Sequence, residues 1–340
     1  MTSTPSVVAG ALQPYIWGRH NALLPFKPDA EHGPQAELWF GTHPAAMSEV
    51  LAGRPVSAGT SPLLMKILAA ATPLSIQVHP GAHGIDQLLV SPATASLLSD
   101  TGIKDEALIA VEQFDVLAGF RDIDSCLQIF GAAGDRVQDV VESLHAGDRI
   151  SAVRRLLTEP RNADLSAMCA LMSDNEARIM RLVLEVYAAD PAVLVSFMLQ
   201  PRTLLPGEAM YVPAGCVHAY VNGLGIEVMT ASDNVLRLGL TPKHIAVEPA
   251  LSITDPDSQP VLGIASAVGF PDADAPFEVV AIVDSLVDIP TAGAVALAFD
   301  GCIVDVESGL TAHQGQAFLL HAGGHQLKVQ GTGYLAWPRG

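Results

Sequence analysis

Long apolar runs are missing from this chain. Hydrophobic residues make up 49% of its 340 positions, yet no stretch of about 18 residues, the length a membrane-spanning helix needs, is free of charge, proline and glycine. No membrane partner is therefore expected. Basic residues are scarce. Eighteen Lys and Arg against 36 Asp and Glu give a formal net charge of −18. Nucleic acid and anionic membrane surfaces both require a basic face, so neither is an expected partner. The four cysteines, Cys126, Cys169, Cys216 and Cys302, are widely separated and form no CxxC pair. That spacing indicates neither a disulfide framework nor a thiolate zinc site. The opening Met1-Thr-Ser-Thr-Pro-Ser has no basic segment followed by an apolar one, so no signal peptide is expected and a cytoplasmic location fits.

The chain is long enough for two or three domains. From the start to about residue 120, short apolar runs broken by Gly and Pro, such as AELWFGTHP and PLLMKILAAATPLSIQVHP, read as strands and turns. Between about 122 and 190 the period changes. Segments such as DRVQDVVESLHAG and NEARIMRLVLEVYAAD space apolar residues three and four apart, which predicts amphipathic helices capped by Asp135, Asp148 and Asp174 or Asn175. Strand texture then returns and persists. The expected organisation is a β domain made of residues 1–120 and 191–254, a helical insertion at 121–190, and a second β domain at 255–340. LPGEAMYVPAGCVHAYVNG at 205–223 has a faint echo in HQGQAFLLHAGGHQLKVQG at 313–331. Either any two hairpins look alike in this way, or a unit has been duplicated and its second copy has lost a site.

Gly207-x5-Pro213-x-Gly215-x2-His218-x3-Asn222 places a tight turn before a strand-borne histidine. It matches the second motif of the cupin superfamily, whose histidine points into a β-barrel and holds a divalent metal. Gln77 and His79, in Ser75-Ile-Gln-Val-His-Pro80, share one face of a strand because side chains alternate. A neutral amide is a weak ligand, so a further donor is needed, and Glu106 is the candidate. Two imidazoles, a carboxylate and an amide oxygen leave coordination positions open for substrate. The set suits Zn²⁺, with Fe²⁺ or Mn²⁺ as alternatives.

Together with Tyr15-Ile-Trp17-Gly18, Glu37-Leu-Trp-Phe-Gly-Thr-His43-Pro, Lys66 and the run Ser232-Asp-Asn-Val-Leu-Arg237-Leu-Gly-Leu-Thr-Pro-Lys243, these segments resemble type I mannose-6-phosphate isomerases. The resemblance covers most of residues 15–250 outside the helices. It implies a mainly β fold of two cupin-type jelly-roll barrels with an α-helical insertion, and one Zn²⁺ per chain on Gln77, His79, Glu106 and His218. It further implies a pocket lined by Trp17, Lys66, Ser75, Lys104, Glu227, Asp233, Arg237 and Lys243. The implied reaction converts mannose 6-phosphate to fructose 6-phosphate through a cis-enediol in a monomer.

Chemistry read from the residues agrees. Moving a carbonyl between C1 and C2 needs a base and an electrophile. A metal or Arg237 suits the electrophile, and Arg237 equally suits a phosphate. Lys66 lies in the apolar run LLMKIL, where desolvation is expected to lower its pKa toward that of a useful base, unless a carboxylate pairs with it. Glu227, in an apolar strand, is the second base candidate. Asp233 and Asn234 either act on substrate or shape the turn that presents Arg237. Where the family carries Asn-His-Lys-Pro-Glu, this chain has Gly102-Ile103-Lys104-Asp105-Glu106. The histidine credited with ring opening is thus Ile103, and His83 or a metal-bound water is the expected substitute. Two other readings remain: an Fe²⁺ cupin oxygenase, and a sugar-phosphate-binding or regulatory relative with a decayed site.

Overall fold

A computed structural model describes residues 4–159, 161–265 and 274–339. Two large antiparallel sheets dominate. The first has eleven strands, ordered Val261–Ile264, Glu208–Val212, Glu106–Ala110, His218–Thr230, Leu63–Ala70, Glu37–Phe40 and Ala11–Gln13, with Phe114–Phe120, Leu199–Leu204, Ile76–Val78 and Leu236–Gly239 branching from it. The second has eight strands, drawn mostly from Phe277–Val283 to His325–Pro338. No helix among the described residues is long and apolar enough to cross a membrane.

The Leu63–Ala70 strand shows why its sequence is apolar without a break. Leu63, Met65, Ile67 and Ala69 pack against Val8, Val295, Ala317 and Leu319 of the second sheet. Leu68 and Ala70, on the opposite face, join Leu108, Phe114 and Tyr220 in a separate interior cluster. Both faces are covered, so the usual polar alternation vanishes. Lys66 is the single charge in that strand.

Alternation reappears where strands meet the helices. Ile76, Val78, Val217, Ala219, Leu236 and Leu238 all enter one core with Phe130, Val153 and Met180 of the helical region. Gln77, His79, His218 and Arg237 occupy the intervening positions and so project from the other face. The helices Ile123–Gly131, Gln138–His145, Arg149–Thr158, Leu165–Ala170 and Asp174–Tyr187 therefore brace the backs of these strands. Their caps differ in part from expectation. Asp148 does cap, through Ser151 N at 2.8 Å. Asp135 instead opens a 3-10 turn, and Ser173 forms a capping box with Glu176 ahead of Asp174 and Asn175.

The expected 1–120 segment does not lie wholly in one sheet. Ser6–Ala9 pairs with Gln316–Leu320 and with Glu49–Gly53, so two early strands complete the C-terminal sheet. Texture cannot reveal this, because a strand's partner is chosen by long-range register rather than by its own residues. His218–Thr230 is the strand that ties the first sheet together. It changes partners at Gly223, whose φ is +155° and whose Cβ would stand 2.4 Å from the Phe114 ring, a place only glycine fills.

Phe130 is fully buried in the core shared by helices and strand backs. Phe130→Ala is expected to lower the unfolding free energy by about 3–5 kcal/mol in urea titrations. An unchanged midpoint would show that the helices contribute nothing to holding the sheet.

Candidate metal centre

Three strand segments converge on one point. Gln77 and His79 come from Ile76–Val78 and the residue after it, Glu106 starts Glu106–Ala110, and His218 starts His218–Thr230. His218 pairs with Gln77 in register, and Gln77 pairs on its other side with Arg237. The Glu106 carboxylate bridges the two imidazoles, 3.1 Å from His79 Nε2 and 2.8 Å from His218 Nε2. Donor atoms of His79, Glu106 and His218 all lie within 4.8 Å of one another, the sole such His/Cys/Asp/Glu cluster among the described residues. Gln77 Nε2 stands 3.2 Å from His218 Nε2. Ser75 donates to the Gln77 amide oxygen at 3.3 Å.

Each imidazole is oriented from behind. His79 Nδ1 lies 2.9 Å from the Asn234 carbonyl and His218 Nδ1 lies 3.0 Å from the Cys216 carbonyl. Those nitrogens carry protons, and both Nε2 atoms face Glu106. Asn234 is fully buried, and its side chain also accepts from Ser99 N and donates to the Asp100 and Gly102 carbonyls. One asparagine thus fixes both His79 and the loop that leads to Lys104 and Glu106.

Burial pushes His79 down to about 4, with Lys104 reinforcing the effect, so its ring is neutral at physiological pH. Burial alone would raise Glu106, but Lys104 and the two histidines hold it well below the usual carboxylate range. Neutral imidazoles, an ionised carboxylate and near-complete burial are what a divalent cation requires of its ligands. Lys104 lies 3.1 Å from Glu106 and 3.3 Å from His79 Nε2.

Lys66 corrects the sequence expectation. It stands opposite Glu227 in register, 2.6 Å from that carboxylate and 3.7 Å from Glu37, with its ammonium 5.1 Å from the Trp39 ring. Burial would lower its pKa, but the two carboxylates outweigh burial and raise it. Lys66 is a charged structural partner and not a neutral base. Glu227 is pushed above the usual range by burial, against the pull of Lys66.

The rim is cationic. Arg237 is half-buried, and its guanidinium has no ion pair among the described residues. Lys243 is exposed, 5.2 Å above the Tyr15 ring, which stacks on Trp17 at 5.7 Å. Burial lowers the pKa of both cations, and Arg237 lowers Lys243 further. Asp233 is half-exposed at the edge, with its carboxylate 3.1 Å from His43 Nε2. His43 Nδ1 accepts from Ala45 N, so the proton sits on Nε2 and points at Asp233. His83 is exposed on the Ala82–Leu88 helix, and Ile103 is 40% exposed. Sequence reasoning missed Glu37, Tyr15, Tyr220 and His43. Glu37 and His43 sat in ELWFGTHP as buried polar residues in an apolar context, which was the available signal.

Residues 7–123 match the family model for the catalytic domain of type I phosphomannose isomerase. The chain is 32% identical over 281 residues to mannose-6-phosphate isomerase of Shigella flexneri, covering 70% of this chain and 71% of that protein. It is 30% identical over 297 residues to the Homo sapiens mannose-6-phosphate isomerase, covering 70% of each. Among solved structures it resembles a single-site mutant of phosphomannose isomerase from Salmonella typhimurium, with TM-score 0.81, 25% identity and coverage of 98% of this chain and 99% of that one. A zinc-bound mannose 6-phosphate isomerase also superposes with TM-score 0.81 and 25% identity, covering 99% of this chain and all of that one.

Lys66→Met would leave Glu37 and Glu227 buried without a cation, which costs about 3–5 kcal/mol at neutral pH. Glu227, already raised by burial and now without the opposing pull of Lys66, would titrate further above its unfolded value near 4.3. The folded variant would bind more protons than the unfolded one. Its stability should be greatest at acid pH and fall as pH rises through the raised pKa. Urea unfolding at pH 5 and pH 7.5 checks this, and a deficit equal at both pH values would contradict it.

Proposed function

Because the chain belongs to the mannose-6-phosphate isomerase family, we propose that it interconverts mannose 6-phosphate and fructose 6-phosphate through a cis-enediol, with one Zn²⁺ held by His79, Glu106, His218 and Gln77. The observation that carries this reading is the buried His79–Glu106–His218 cluster beside a cationic rim of Arg237 and Lys243. A −18 chain repels sugar phosphates overall, so local positive charge is what admits one.

Lys243 binds the phosphate at the exposed rim, with Tyr15 and Trp17 packing beside the sugar. Arg237, next to Gln77 in register, faces the oxygens of C1 and C2. When bound, the cation supplies a Lewis acid that polarises those oxygens. Glu227 takes the proton from C2 as the C1 carbonyl gains electron density, and Arg237 stabilises the charge that develops on oxygen. The same carboxyl returns the proton to C1 while the C2 hydroxyl proton passes to the C1 oxygen, leaving a hydroxyl on C1 and the ketone at C2. One carboxylate serving one face of the sugar requires the two hydroxyls of the intermediate to be cis. A pKa raised by burial suits Glu227 to both halves of this transfer, and Lys66 fixes its position.

Formation of fructose 6-phosphate from mannose 6-phosphate, assayed with and without chelator, tests the proposal. Activity should vanish on chelation and return with Zn²⁺. Glu227→Gln should retain the metal and lose about 10²–10⁴-fold in kcat, whereas His218→Ala should lose metal and turnover together. Zinc binding with no turnover in the unaltered chain would leave a sugar-phosphate-binding protein in place of an enzyme.

A further inference from the structure

A second cleft, of about 450 Å³, opens where the loop after Phe40 and the Arg54–Pro62 segment meet the C-terminal sheet around Gly293 and Leu320. Its size falls in the range of about 300–1,000 Å³ usual for small-molecule sites. The polar side chains lining it are Arg54, His321 and the hydroxyls of Thr42, Thr60 and Ser61, and no carboxylate lines it. In a chain with twice as many acidic as basic residues, that selection is informative. Three other clefts each carry an acid: Glu176 and Glu208 in one, Asp190 in another, Asp233 in the third.

The cation there is uncommitted. Arg54 is exposed, and its guanidinium has no hydrogen bond or ion pair among the described residues. The Ser6 hydroxyl donates to the Arg54 carbonyl at 2.5 Å and lies 2.7 Å from His321 Nε2. Ser6 has one hydroxyl proton, already given to Arg54, so His321 Nε2 must be the donor and Nδ1 is its free nitrogen. Burial, with Arg54 and His325 nearby, holds His321 below its ordinary pKa. This marks a place where positive charge lacks compensation.

We propose that this seam is a second anion site, distinct from the metal centre, that takes small phosphate monoesters, with the Arg54 guanidinium and the Thr42, Thr60 and Ser61 hydroxyls on the phosphate and the His321 ring beside it. Arg54 supplies a planar fork suited to phosphate oxygens, while Pro62, Ala294 and Leu320 offer apolar surface for the carbon chain. Such a ligand would join the two sheets. It would also press on Thr42, whose neighbour His43 touches Asp233 at the metal-centre rim.

The site is tested on the full chain by titrating inorganic phosphate, then glycerol 3-phosphate, at ionic strength held constant with sodium chloride. The readouts are the His321 ring resonances and calorimetric heat. Arg237→Ala, which removes a cation beside Lys243 and so lowers the positive potential at the rim, serves as a background in which anion binding there is weakened. Saturable perturbation of His321 by both probes is expected in the unaltered chain and in Arg237→Ala. Arg54→Ala and Arg54→Gln should each weaken it about tenfold or more with unchanged circular dichroism and unchanged isomerase turnover. No saturable response, an equal response to chloride, undiminished binding in folded Arg54→Gln, loss in Arg237→Ala alone, or binding of inorganic phosphate without the monoester would each overturn the proposal. Because the readout is binding away from the metal, failure of the isomerase assay leaves the result interpretable.

Discussion

Charge buried between packed strands must be paired, and the site is organised around that requirement. Three carboxylates, Glu37, Glu106 and Glu227, and two ammonium groups, Lys66 and Lys104, are all less than 8% exposed. Any one left alone would cost several kcal/mol. They are paired in two sets: Lys66 between Glu37 and Glu227, and Lys104 with the two histidines around Glu106. Among these five groups one negative charge is in excess. A divalent cation on the second set would turn that excess into a single positive charge. The same step that completes the metal site would therefore make the interior hospitable to an anionic sugar. Arg237 and Lys243 extend that positive field to the rim.

Such pairing needs side chains from distant strands to arrive on one face, and strand alternation delivers them. Ile76, Gln77, Val78 and His79 are divided between two environments, the helical core behind and the donor cluster in front. Val217, His218, Ala219 and Tyr220 repeat the pattern, with Tyr220 donating to Glu106 at 3.0 Å. The helices are thus coupled to function indirectly. By packing the backs of the ligand strands they fix the height and tilt of the donors, to which metal geometry is sensitive.

Features set by local pattern were legible in the sequence, and features set by register were not. Gln77-x-His79 could be placed on one face from period two alone, and Pro213-x-Gly215-x2-His218 specified a turn followed by an inward histidine. The change of period near residue 122 marked the run of helices whose first begins at Ile123, while the short helices Ala82–Leu88 and Pro92–Ala95 lie within the stretch read as strands and turns. Lys66 could be recognised as unusual in its apolar run, but its partner Glu227 lies in a strand far along the chain, and only the pairing of those strands reveals that its charge is held rather than lost. Glu37 and Tyr15 were hidden for the same reason. So was the excursion of Ser6–Ala9 into the C-terminal sheet, since nothing in those four residues specifies Gln316–Leu320 as a neighbour. The echo at 313–331 survives as strand, turn and strand-opening histidine. Its His325, however, is paired with Asp305 at 2.9 Å beside an apolar interior, not gathered with other ligands.

The two departures from the family at 103 and 105 are related by one residue, Thr230. Its hydroxyl donates to the Ile103 carbonyl at 2.8 Å and accepts from Asp105 N at 3.1 Å, while its own N–H donates to the Asp105 carbonyl at 3.1 Å. A proline at 105 would have no N–H to give. The Asp105 carboxylate adds a bond from the Tyr211 hydroxyl at 2.8 Å, facing away from the donor cluster. The loop that delivers Lys104 and Glu106 is therefore pinned by hydrogen bonds from the neighbouring strand. With that geometry secured by Thr230, position 103 is released to the surface and need not supply an imidazole.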